Sequence, residues 1–174
     1  MRFSGVISLI IVSLLVATPC LSQASFIVTD KASPLKLIGR GDGPDVGFKG
    51  SVQLSGRFVA LRQQYNEQAP YLDLIFYPDD KSARLLPRYR SDEPVKELMI
   101  SNSKKAGLML FDVDMIEKIL NQELPSATVA ATATIRNYRM GVSCDQRWYL
   151  ADLVSTSSRQ QVASLPQENT RAGC

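Results

Sequence analysis

Histidine is absent from the chain, which removes the commonest general base and the commonest transition-metal ligand together. A zinc hydrolase and a Ser-His-Asp enzyme are excluded on that ground. Cysteine occurs three times, at Cys20, Cys144 and Cys174, too few for a Cys-rich metal site and without a Cys-x-x-Cys redox motif. Cys144 has no histidine to make it a thiolate, so nucleophilic catalysis there would need another activator. Glycines cluster from Gly39 to Gly50, but no Gly-Lys-Ser/Thr follows them, so a phosphate-binding P-loop is absent. No metal and no cofactor is expected.

What is present first is an address. "MRFSGVISLIIVSLLVATPCLSQA" has a basic start at Arg2, an apolar run from Val6 to Ala17, and small residues at Ser22 and Ala24. This is the layout of a secretory signal over residues 1–24, cleaved after Ala24. The apolar run falls short of the roughly 20 residues that cross a bilayer, so no membrane span is expected after cleavage. Lipidation at Cys20 is a further option, although Pro19 precedes it and the usual leucine is missing. Removing 24 of the 174 residues leaves 150, one domain's length, with 19 basic against 17 acidic side chains. A net charge of +2 gives no strong nucleic-acid signal and no strong pull towards anionic membrane.

An exported chain meets an oxidising compartment, so Cys144 and Cys174 are expected to pair. The bridge would close a loop of about 30 residues and stabilise by roughly 3 to 4 kcal/mol in the chain-entropy picture. A free terminal thiol or an intermolecular bridge is the alternative.

Residues 25–49 read as an N-terminal extension, two short apolar runs followed by the glycine-rich loop "GRGDGPDVGFKG". Its Arg40-Gly41-Asp42 tripeptide reads as a charged turn. A β domain is expected from 50 to 157. "SVQLSGRFVALRQ" alternates Val52, Leu54, Gly56 and Phe58 with Gln53, Ser55 and Arg57, the period of a half-buried strand, and a change of buried face near Val59 suggests a bulge at Gly56. "YLDLIFYP" is a second strand with Leu72, Leu74 and Phe76 inward, "PDDKS" a turn, and "KELMIS" a short strand. "DMIEKILNQEL" carries helical spacing, an Asp114/Glu117 capping box and a stop at Pro125. "ATVAATATIRNYRMGV" and "RWYLADLVSTS" form the last hairpin about a turn at Gly141–Gln146, and residues 158–174 form a polar tail.

Mainly β with one helix, in the order long bulged strand, strand, one or two further strands, helix, strand, strand, this arrangement is similar to the OB-fold, a small five-stranded Greek-key barrel with its helix between the third and fourth strands. The resemblance implies ligand contact through the face of the second and third strands, and through loops at Gln63–Pro70 and Gly141–Gln146. That face would offer Tyr71, Tyr77, Arg84, Arg88, Tyr89, Arg147 and Trp148 to a base or a sugar ring. Ordinary packing of aromatics with arginines shielding strand edges is the competing account. The acidic residues Asp112, Asp114 and Glu117 read as helix-terminal charge rather than a cation site. Asp79 and Asp80 read as turn residues, not as carboxylates facing across a cleft.

The expectation is an exported, periplasmic or secreted, non-enzymatic β-barrel that binds a protein or small ligand. An oligosaccharide or nucleotide binder is the second reading and a carboxylate-only enzyme the third.

Overall fold

The alternation of apolar and polar residues produces strands long enough to wrap round one core. The structure is a computed structural model describing residues 27–40, 45–144 and 146–162. The expected signal with Cys20, the Gly41-Asp42 part of the tripeptide, and Cys174 lie outside the described residues. The described residues are mainly β, 54% strand against 17% helix, with a closed five-stranded barrel.

The elements in chain order are β1 (Ile27–Val28), β2 (Lys36–Arg40), β3 (Val46–Lys49), β4 (Ser51–Gln63), β5 (Tyr71–Pro78), α1 (Asp80–Leu85), β6 (Arg88–Tyr89), β7 (Leu98–Ile100), α2 (Ser103–Leu110), α3 (Val113–Leu120), β8 (Ser126–Ser143) and β9 (Gln146–Val162). Around the barrel the strands run β4-β5-β7-β9-β8 and back to β4. All these pairings are antiparallel except β7–β9, which is parallel through Met99↔Leu150 and Ile100↔Ala151. Asn102 prolongs this short ladder: its side-chain amide donates to the Leu153 carbonyl at 2.9 Å and accepts from the Leu153 N–H at 2.9 Å.

Inward positions supply the core. Leu54, Phe58, Leu74, Phe76, Leu98, Ile135 and Met140 are fully buried, and the Phe58 and Phe76 rings meet with centroids 4.5 Å apart. The alanines of β8 leave room for them: Ala131 lies opposite Gly56 and Ala133 opposite Leu54. Large residues on one strand against small ones on the next fill the interior at ordinary packing density.

Several expectations change. The described parts of the segment expected as a glycine-rich loop belong to the paired strands β2 and β3, and β3 joins β8 through Val46↔Met140 and Gly47↔Arg139. Gly56 is not a bulge, because β4 runs past it in unbroken register with β8, and the ladder with β5 begins at it through Gly56↔Pro78. It is needed for close approach: a Cβ there would lie 2.3 Å from the Tyr77 carbonyl oxygen. The irregularities sit between β8 and β9 instead, with register shifts at three places and Asn137 at φ 53° in one of them.

Among the described residues three helices replace the expected one. The "PDDKS" turn is the start of α1, capped by the Asp79 carboxylate accepting the Ser82 N–H at 2.7 Å. Residues that favour turns favour N-caps for the same reason, a short acceptor reaching a nearby N–H. α3 begins at Val113 with Asp112 in the cap position and no side-chain cap bond, so the expected capping box from Asp114 does not form. Asp114 lies in the first turn, and the helix ends at Leu120, well before Pro125. β8 extends to Ser143 and β9 to Val162, which shortens the hairpin turn and carries strand into the expected tail.

Candidate functional site

The β4–β5 ladder sets Arg57 directly opposite Tyr77 on the barrel's outer face. Cross-strand partners of this kind touch, and the Arg57 guanidinium lies over the Tyr77 ring, 5.0 Å from its centroid. Beside them β5 ends at Pro78 and α1 begins, so Asp79 and Asp80 follow at once. The segment Pro94–Lys96 forms the facing wall, and between the two lies an open groove of about 700 Å³. Val95 and Ala83 anchor the walls to the barrel, both buried. The charged side chains lining the groove are Arg57, Lys96, Asp79 and Asp80, two of each sign. The apolar part of the lining comes from Tyr77, Pro78, Pro94, Val95 and Ala130.

The seven aromatic and arginine positions expected on one face are distributed over several places. Tyr77 lines the groove. Arg84 is exposed on the last turn of α1. Tyr71 stacks on Tyr65 at the base of the β4–β5 loop, centroids 6.1 Å apart. Trp148 lies over Gly141 across the β8–β9 ladder, where a Cβ on residue 141 would meet its ring at 2.3 Å.

The remaining three, Arg88, Tyr89 and Arg147, meet around a residue that no sequence pattern singles out, Asp92. Arg147 approaches one Asp92 carboxylate oxygen at 3.5 Å and lies 4.3 Å from the Tyr89 ring centroid. The Tyr149 hydroxyl donates to the other oxygen at 2.6 Å, and Arg88 Nε donates to the Asp92 backbone carbonyl at 3.3 Å. Behind them Tyr138, stacked on Tyr149, donates to the Pro87 carbonyl at 2.5 Å. Burial first, and then the neighbouring phenols and Asp92, push the Tyr138 hydroxyl well above the usual phenol range. Burial, and then the bond to Asp92, push Tyr149 in the same direction. Among the described residues no buried side-chain nitrogen or oxygen lacks a partner. This cluster is a hydrogen-bonded network that fastens segment 87–92 to β9.

A second polar knot holds the barrel seam. Burial would raise the Asp152 pKa, but hydrogen bonds from Ser101 and Asn137, with Arg136 and Arg139 nearby, hold it below the ordinary carboxylate value. The Asn137 amide donates to Asp152 at 2.6 Å, which ties the left-handed residue of β8 to β9. Glu93, paired with Lys96, is shifted downward like Asp152, while Tyr138 and Tyr149 are shifted upward. Each moves away from neutral pH, whereas a general acid or base works best with its pKa near it. No cluster of three or more potential metal-ligating side chains occurs among the described residues.

The sequence carried part of this site. The alternation in β4 marks Arg57 as outward, and Tyr77 reads as partly outward on β5. Their pairing depends on hairpin register, which a loop of seven residues at 64–70 does not reveal. Lys96 reaches the groove through the tertiary path of segment 90–97, which has no periodic signal. Comparison with protein-family models, curated proteins and solved structures finds no match.

Proposed function

We propose that this chain is an exported, non-enzymatic binding module built on an OB-like barrel, with the groove beside Arg57 and Tyr77 as its contact surface. The OB-like reading is supported by the strand order: first, second, third, fifth, fourth and back to first, with the third and fifth parallel and α2–α3 between the third and fourth. Export and removal of residues 1–24 rest on the basic, apolar and small-residue succession of the leader. In that compartment Cys144, at the β8–β9 turn, pairs with Cys174.

The observation that carries the binding reading is the groove itself, concave, mostly apolar and rimmed by four charged side chains. Its volume lies in the range of ligand sites, roughly 300–1,000 Å³. The non-enzymatic reading rests on the lack of histidine, the commonest general base. A photoactivatable residue placed at position 96 of the exported protein tests the reading, with position 118 on α3 as control. Adducts at 96 that disappear on filling the groove with Ala130→Trp support it. Equal yields at 96 and 118, or no loss on filling, contradict it.

A further inference from the structure

Resting on the binding reading above, we infer that the groove's ligand is a neutral, hydroxyl-rich chain, a short segment of uncharged oligosaccharide. Three properties of the groove lead there.

The first is charge. Arg57 and Lys96 bring two positive charges and Asp79 and Asp80 two negative ones to the groove lining, and the Glu93 carboxylate, paired with Lys96, stands beside it. A phosphate, sulfate or uronate held by the cations would stand beside the carboxylates, and a cationic ligand would meet the reverse conflict. Like charges set close together disfavour the complex. A hydroxyl avoids both conflicts, since it donates to a carboxylate and accepts from an ammonium or guanidinium N–H. Hydroxyls of adjacent carbons can therefore use both signs at once, through charge-assisted bonds of the stronger kind.

The second is the apolar lining. Tyr77, Pro78 and Pro94 contribute rigid rings to it, with the Arg57 guanidinium over the Tyr77 ring. Rigid apolar faces suit the C–H face of a sugar ring, the pairing of apolar surface with a few placed polar groups that ligand sites use. The same prolines count against a peptide that binds by strand addition, because Pro78 and Pro94 have no backbone N–H to offer it.

The third is access. Asp80, Arg57 and Lys96 are exposed, and the groove is open rather than a closed cavity. A segment of a longer chain can lie in it without being swallowed end-first.

Titration calorimetry on the full mature protein tests the inference with four probes: uncharged gluco- and galacto-oligosaccharides, their sulfated counterparts, a single-stranded oligonucleotide, and a proline-rich peptide. An uncharged oligosaccharide is expected to bind, with Kd insensitive to salt. Asp80→Ala and Arg57→Ala are each expected to weaken it about ten- to a hundredfold, the loss of one hydrogen bond to a charged group. Lys118→Ala, on exposed α3, leaves Kd unchanged. Preference for the sulfated chain or the oligonucleotide, with affinity falling steeply as salt rises, overturns the inference. So does preference for the peptide, or uncharged binding that survives both groove substitutions. If no uncharged sugar binds while position 96 still gives groove-dependent adducts, the ligand class is wrong and the binding reading stands. If the adducts are also missing, both fall.

Discussion

Tyr138 shows how much one hydroxyl can hold. It is fully buried, and its hydroxyl donates to the Pro87 carbonyl, itself on a buried residue. Tyr138→Phe removes that donor and is expected to cost about 1–3 kcal/mol, read as a lower urea midpoint with unchanged slope. The alkaline limb of stability follows from the same place. Tyr138 and Tyr149 both have folded pKa values above the ordinary phenol value, so the folded state favours their neutral forms. That contribution is fully present below the unfolded value of about 10 and is lost as pH rises above it. Unfolding followed by circular dichroism should therefore begin above pH ~10 together with phenolate absorbance, and Tyr149→Phe should shift the onset upward. Asp152 works in the opposite sense. Its lowered pKa contributes stability above the unfolded carboxylate value of about 4, lost as pH falls through the lower folded value. Asp152→Asn should flatten the acid limb of a melting-temperature profile. Both tyrosines stand in a stretch the sequence marks as aromatic-rich, but Asp92 lies 57 positions from Tyr149, and no spacing rule spans that distance.

Elements with an uninterrupted period were legible and those defined by packing were not. The alternating stretches of β4, β5 and β8 put one parity into the core, while Val59, Leu61 and Ile75 form a second buried cluster on the other face of β4 and β5. α2 was missed because only Ala106, Gly107 and Leu110 are buried in it, too few positions to stand out in "SKKAGLML". α1 was missed because Asp79 and Ser82 carry turn and cap chemistry alike. Asp79→Ala should cost about 0.5–2 kcal/mol, since it frees the Ser82 N–H of α1, and the Asp80 rim of the groove depends on that helix start. Gly56 was legible as special but for the wrong reason. A bulge would tolerate alanine on one side of the ladder, whereas contact with the Tyr77 carbonyl and the Phe76 ring does not. Gly56→Ala should therefore destabilise by about 1–3 kcal/mol, as overpacking does, measurable by chemical denaturation.

For the whole molecule, closure depends on a short seam. β7 meets β9 over two register pairs, and the residues after β7 extend the join with side-chain bonds, Ser101 to Asp152 and Asn102 to Leu153. The strand order could be inferred from the sequence only by analogy of element order, because three residues of β7 carry no signal of which strand they meet. With the proposed bridge from Cys174 to Cys144, the tail becomes a second fastening. Intact mass of exported protein treated with an alkylating reagent should find no reactive thiol before reduction and two after it. The central claim, that the groove beside Arg57 and Tyr77 is where this barrel meets its ligand, has a direct measurement. Amide shift mapping of the mature protein, titrated with the uncharged oligosaccharide that binds most tightly, locates the contact residue by residue. Shifts concentrated at Arg57, Tyr77, Asp80 and Lys96 are the predicted result. Shifts concentrated instead on the Tyr65–Tyr71 loop or on the turn at Cys144 would contradict the claim.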